Sequence, residues 1–442
     1  MKKIAYLMLC TMIILFSCKK DKEYKTYAVI VQLEYPAGSA LSAVEGVKVK
    51  ATGRNTSFEA TTDKEGKAVF NLPNDIYEVS SSDKRTTGLS TFNYNAVKSN
   101  VAVAEGWNSE QIVKLELEAS AISQIIVKEL FTGGTPTDNG SAAFKHDRYV
   151  ILYNNSNTNA SLANICLATA MPYNSTGSNN YYGADGSLTY LKERWMPAGQ
   201  GFWYFQQDVV LKPGEQIVIA LNNAVNNSVT HTKSINFNNA NYYCTYDVAI
   251  TSYPNTGTYK APAELIPSSH YLKAIRYGAG NAWTLSNVSP GFFLFELKDM
   301  TPSALGANVS YNSLYGGSAT LVDKKIPVSW VVDAVEAYEI GKANQKRFTG
   351  AIDAGYVNYT GDLGYSIYRN VDEAATKAIA GNTTKLVYNY SYGTTNVTGG
   401  STDPSGIDAE ASVANGARII YKDTNNSTND FHMRSRATLR TN

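Results

Sequence analysis

The stretch VKVKATGRNTSFEATTDKEGKAVFNLPNDIYEV, residues 47–79, decides what kind of fold this chain adopts. Gly46-Val47-Lys48-Val49-Lys50-Ala51 alternates apolar with basic side chains. Successive side chains of a strand point to opposite faces, so Val47, Val49 and Ala51 belong to a buried face and the lysines to water. Asp63-Lys64-Glu65-Gly66 has turn chemistry and separates two strand-like runs, residues 58–62 and 68–72. Residues 76–79 continue the pattern downstream of Pro73, and residues 27–33 and 112–117 repeat it on either side. Residues 26–118 therefore read as one module of strands joined by turns.

Upstream of this module the composition changes abruptly. Met1-Lys2-Lys3 gives a positive start, and residues 4–16 are an apolar run, so residues 1–17 read as a signal peptide. The run is too short to cross a bilayer, which takes about 20 apolar residues. Leu15-Phe16-Ser17-Cys18 resembles a bacterial lipobox, which implies lipidation of Cys18 and cleavage before it. Each buried methylene contributes about 0.8 kcal/mol, so two or three acyl chains anchor stably where one would not. Lys19-Lys20-Asp21-Lys22-Glu23 resembles the export signals of Bacteroidetes-type surface lipoproteins. Residues 18–25 are then a tether, and the expected location is the outer membrane, lipid-anchored and facing outward. No later apolar run approaches the length of a membrane span.

Composition removes several function classes. The 442 residues carry 39 Lys+Arg against 38 Asp+Glu, a net charge of +1. A nucleic-acid binder needs a basic surplus to displace counterions from phosphates, so that class is excluded. With 43% hydrophobic residues the chain has an ordinary apolar content and is not disordered overall. Beyond Cys10 and Cys18 only Cys166 and Cys244 remain. In an oxidising envelope they are able to form one disulfide, closing a loop of roughly 80 residues for about 4–5 kcal/mol. Two buried free thiols are the alternative. No Cys-x-x-Cys pair occurs, so neither a zinc ribbon nor a dithiol redox site is indicated.

The order Gly-Val-x-Val at 46–49, Thr-Thr-Asp-x-Glu-Gly at 61–66, Leu-Pro at 72–73 and Tyr-x-Val at 77–79 resembles the transthyretin-like, carboxypeptidase-regulatory type of sandwich. That resemblance implies a non-catalytic spacer. Ala119-Ser120-Ala121 reads as a junction. Beyond it, residues 125–131, 149–156, 160–165, 211–220 and 418–431 together resemble a lamin-tail-like β-sandwich. These segments bracket far more chain than one such domain needs, so residues 122–442 form a β body with a large insertion or decoration at about 222–365. The fold class is mainly β, with few short helices. Residues 331–340 are one helix candidate, with Val331, Val335 and Tyr338 at helical spacing. Residues 372–380 are another, with acidic residues first and Gly381 after the end. Residues 394–406, rich in Gly, Thr and Ser, read as a loop. The whole arrangement is similar to an uncharacterised family of Bacteroidetes-type outer-membrane lipoproteins.

Catalytic motifs are missing from the sequence. His146, His231, His270 and His432 are scattered and form no paired metal motif, so no metal or cofactor is expected. There is no Gly-x-Ser-x-Gly elbow and no phosphate loop. Asp423-x-Asn425-x-Ser427 looks like the opening of a calcium loop, but Thr428 replaces its glycine and Arg434 its closing acid, so turn chemistry explains it. Aromatic density is the one positive feature: Tyr181, Tyr182, Trp195, Trp203, Tyr204 and Trp283 concentrate in the middle of the body. Such rings stack on ligands or anchor partners, and strand packing uses the same residues. The leading expectation is a non-enzymatic surface lipoprotein that binds a nutrient or docks on a TonB-dependent-type transporter, an idea the resemblance supplies. A structural or adhesive surface protein is the alternative. A hydrolase with an unrecognised carboxylate site is the third.

Overall fold

The computed structural model describes residues 25–36, 45–87, 90–121, 123–249, 259–279, 285–388 and 403–440. Cys18 and the signal and tether before Lys25 lie outside these residues, as do Trp283 and most of the predicted loop at 394–406.

The N-terminal part is a two-layered sandwich. Its strands are β1 (Thr26–Glu34), β2 (Lys48–Thr52), β3 (Ser57–Thr61), β4 (Lys67–Pro73), β5 (Asp75–Thr87), β6 (Ser90–Val103), β7 (Ile112–Glu116) and β8 (Glu118–Ala121). One sheet runs β4-β1-β7 and the other β3-β2-β5-β6-β8. The alternation read at 46–51 is real: Val47, Val49 and Ala51 are buried against Val29, Val31, Phe70 and Tyr77. The turn at Asp63 crosses between the two sheets. Its Oδ1 accepts from the amides of Glu65 (3.0 Å) and Lys67 (2.8 Å), and Gly66 takes the positive φ of 74° that closes it. Ala119-Ser120-Ala121, read as a junction, is instead the end of β8, pairing with Asn93 and its neighbours on β6.

The C-terminal part is built on one 14-stranded sheet. In chain order its region contains β9 (Ile125–Phe131), β10 (Thr135–Pro136), β11 (Ala143–Phe144), β12 (Tyr149–Asn154), β13 (Ala160–Ser161), β14 (Ile165–Ala170), β15 (Trp195–Tyr204), β16 (Val210–Leu211), β17 (Gln216–Ala220), β18 (Tyr243–Thr245) and β19 (Tyr271–Arg276). It continues with β20 (Gly291–Glu296), β21 (Asn312–Leu314), β22 (Val322–Pro327), β23 (Val331–Glu339), β24 (Val357–Tyr359), β25 (Ser366–Arg369) and β26 (Phe431–Arg434). The pairs β10–β11 and β13–β16 are small separate ladders. The main order is β24-β23-β20-β14-β15-β19-β18-β17-β12-β9-β25-β26, with β22 and β21 added beside β15. The end strands β24 and β26 come back into contact, so the sheet is nearly closed. Inside it Leu152, Leu167, Trp203, Leu272, Leu294 and Ile367 pack as one core. The stretch at 222–365 is woven into this sheet, supplying β18 to β24.

Helices are few and short: Pro302–Ala307, Glu373–Lys377, Ala409–Ala414 and Ser427–Asp430 are the α-helices among the described residues. The candidate at 372–380 forms, with Asp372 accepting from the Ala375 amide (3.0 Å) as its cap. The candidate at 331–340 does not. Residues Val331–Glu339 are strand β23, paired to β20 on one side and β24 on the other. Most of this strand is buried on both faces, so it lacks the alternation by which a half-exposed strand is recognised. The disulfide is not formed either. Cys166 and Cys244 are free, buried thiols packed in separate clusters.

Candidate functional site

The five-stranded sheet of the sandwich turns its outer face to the body. Asn95 on β6 donates to the Thr424 carbonyl (2.6 Å), and the Ser123 amide donates to Asp423 (3.3 Å). The backbone of Gly350 lies against Ala96, where an added Cβ would sit 3.5 Å from its Cα. Along this seam runs a groove of three compartments, with volumes of about 300, 470 and 470 Å³.

One wall follows from the strand period. The residues that alternate with the buried ones, Lys48 and Lys50 on β2 and Glu78, Ser80 and Ser82 on β5, form the sandwich side of the first compartment. The opposite side comes from the body: Tyr356 and Asn358 at and on β24, and Asn426 and Asn429 at the helix Ser427–Asp430. Arg54, Asn344 and Gln345 line the second compartment, and Lys98, Glu118 and Asp185 the third. Glu78 and Tyr356 belong to both the first and second compartments, and Tyr182 and Lys346 to both the second and third. Burial lifts the Glu78 carboxyl above the usual carboxylate range against the pull of Lys346, and Ser99 Oγ donates to its Oε2 (3.3 Å). Burial likewise raises the carboxyl of Glu118.

A buried charge network fixes the loop that carries Lys346. Glu336 on β23 is fully buried and receives Arg347 Nε (2.9 Å), Lys346 Nζ (3.1 Å) and the Tyr338 hydroxyl (2.9 Å). Lys346 Nζ also donates to the Gly355 carbonyl (2.6 Å). Burial pushes the Glu336 carboxyl up, but the two cations outweigh it and hold it below its ordinary value. Asp353 closes the same region by accepting from the Ser427 amide (2.7 Å) and hydroxyl (2.6 Å). Tyr182 is tied down through its hydroxyl, which donates to the Lys346 carbonyl (3.0 Å). Tyr356 packs edge-on to Tyr338 at 5.5 Å.

The aromatic residues singled out in the sequence mostly lie elsewhere. Trp195, Trp203 and Tyr181 are only 8%, 5% and 6% exposed, so they are packing residues and not a contact surface. Trp195 sits among Tyr181 (5.9 Å) and Tyr190 (5.0 Å), and Trp203 against Tyr259 (5.6 Å). Tyr181 donates to the buried carboxylate of Asp323 (2.7 Å). Tyr204 is half-buried on β15. Of the five that fall among the described residues, Tyr182 is the one that lines the groove.

The calcium-loop lookalike is spent internally. Asp423 and Asp430 turn to Arg369 (3.7 and 3.9 Å), and Asn426 caps the helix Ser427–Asp430. Among the described residues no group of three or more His, Cys, Asp or Glu is placed to hold a metal ion. His432, one of the scattered histidines, is buried beside Asn370 (2.7 Å).

Sequence reasoning missed a second internal site. Lys128, at the centre of β9, is 1% exposed and bonds Glu410 (2.6 Å) and Gln216 (2.7 Å). The rings of Tyr153, Tyr368 and Tyr421 surround it at 5.6–6.0 Å. A Lys-Glu pair inside a strand run of apolar residues was the available signal.

A family model described as "Protein of unknown function (DUF4876)" matches residues 212–386, the part of the chain that supplies β17 to β25. The crystal structure of a DUF4876 family protein from Bacteroides thetaiotaomicron VPI-5482 is similar, with a TM-score of 0.50 and 21% identity over 94% of this chain and 97% of that one. That likeness is one of fold. A DUF3823 family protein from Parabacteroides merdae ATCC 43184 matches with a TM-score of 0.16 and 9% identity, over 34% of this chain and 67% of that one. No curated protein matches the chain.

Proposed function

We propose that this chain is a non-catalytic surface lipoprotein that binds an extracellular nutrient in the groove between its two halves. The groove carries the reading: it is a pre-formed cleft at a domain boundary, where ligand sites preferentially lie, and convergent polar side chains and two tyrosine rings line it. Lipidation at Cys18 supplies the anchor, and the sandwich supplies the spacer that lifts the groove from the membrane. The partner on the membrane is a TonB-dependent-type transporter that receives the ligand.

Two measurements test this. Radiolabelled palmitate should enter the wild-type protein and not Cys18→Ala, and external protease should reach the protein on intact cells. Candidate nutrients should raise the melting temperature of the purified protein, because a ligand held at 100 times its Kd stabilises by about 2.7 kcal/mol. Absence of a thermal shift across peptides, saccharides and cofactors would sink the binding role. Co-purification without any transporter would sink the partner.

A further inference from the structure

We infer that the groove takes an extended saccharide chain, with Tyr356 and Tyr182 as two stacking platforms along it; this rests on the groove being the ligand site and names its ligand class. The compartments are continuous. Tyr356 and Glu78 stand at the first junction, Tyr182 and Lys346 at the second. A compact nutrient fills one compartment, whereas a chain of linked rings occupies all three. Each platform is a half-buried ring at a junction, and Tyr182 is held by its hydroxyl bond to the Lys346 carbonyl. An aromatic face of this kind packs against the apolar face of a sugar ring, and its fixed position lowers the ordering cost of binding.

The side chains beside the platforms suit hydroxyl groups. Ser80, Ser82, Asn358, Asn429 and Asn344 each both donate and accept, as a sugar hydroxyl does. Charges of both signs line each compartment, Lys50 and Glu78 in the first, Arg54 and Glu78 in the second and Lys114 and Glu118 in the third, so a polyanion meets a carboxyl group throughout. Extended peptides join a free strand edge; β2, which forms much of the sandwich wall, is paired on both sides, to β3 and β5, and shows the groove its side-chain face.

The test is binding of the purified chain to soluble α-glucan, β-glucan, xylan and α-mannan by affinity electrophoresis. Calorimetry then follows with oligosaccharides of two to eight sugars from the polymer that retards it. Affinity is expected to rise with chain length and to level off once the three compartments are filled. Tyr182→Ala and Tyr356→Ala should each weaken binding of the longest chain about three- to ten-fold, with a smaller loss for the disaccharide. Asn358→Trp, a change at an exposed position, should block the first compartment and shorten the length at which affinity levels off. All three variants are first checked for an unchanged melting temperature; if a tyrosine variant fails to fold, the length series and Asn358→Trp decide. Retention of none of the four polymers overturns the inference, as does affinity independent of length. A thermal shift with a peptide or a small cofactor and no polysaccharide binding overturns it while leaving the ligand-binding role standing. No shift with any compound overturns both.

Discussion

Asp323 is fully buried with Tyr181 as its hydroxyl donor, and burial raises its carboxyl to about 7. In the unfolded chain the same group ionises near its ordinary value of 3.8. Its contribution to stability is therefore complete below about pH 4 and is lost as pH rises through 7. Asp323→Asn removes that loss. Its melting temperature relative to wild type should climb between pH 4 and pH 8, and a difference that stays flat across the range would show the carboxyl to be ionised in the fold. The charge on Asp323 could not have been located from sequence, since Val322-Asp323-Lys324-Lys325 reads as an exposed run. The same holds for Lys346 and Arg347, whose loop position predicts solvent and whose real partner is Glu336. What was legible at this scale was the aromatic density itself. Its role was not, because a ring on a buried strand and a ring in a groove have the same letter.

Elements differ in legibility according to how many faces they bury. The sandwich strands have one wet face, so residues 46–51 show their period and were read correctly. Strand β23 shows none, and three residues at chance helical spacing suggested the wrong element. The helix Glu373–Lys377 was legible from its ends: Asp372 as cap, Glu373 in the first turn and Gly381 at φ 71° beyond the last. Asp372→Ala should lower stability by about 0.5–2 kcal/mol in urea unfolding, and Asp372→Asn, which keeps the capping oxygen, by much less. Equal losses for both would assign the effect to charge alone.

At the scale of the whole molecule, the sequence suggests a small sandwich followed by an oversized β body, and does not show how the strands of that body join into one sheet. Closing the large sheet pairs Leu130 with Ile367 and Tyr368 with His432, contacts between segments far apart in the chain that no local pattern announces. The groove is likewise a product of two surfaces meeting. Gly350 is one place where the two backbones lie against each other, and an alanine there makes only ordinary contact with Ala96. Gly350→Trp should push the halves apart, increasing the radius of gyration in solution scattering and exposing the seam to protease, while the far-ultraviolet circular dichroism of the strands stays unchanged. Unaltered scattering would mean the seam yields without opening.

The Lys128 cage has a use as a clock. An amine-reactive ester modifies free lysine nitrogens at the surface within its first exposure, but Lys128 Nζ, held by Glu410 and Gln216 among three tyrosines, reacts only in molecules that have opened far enough to free it from both partners. Lys346, whose side chain is 10% exposed at the groove, reacts when its loop lifts from Glu336. Mass spectrometry of the two acylated peptides against time should therefore give two rates, the slow one tracking global opening and the faster one tracking the groove alone. A ligand seated in the groove slows the second rate first, so the acylation pattern reports occupancy before the ligand has been named.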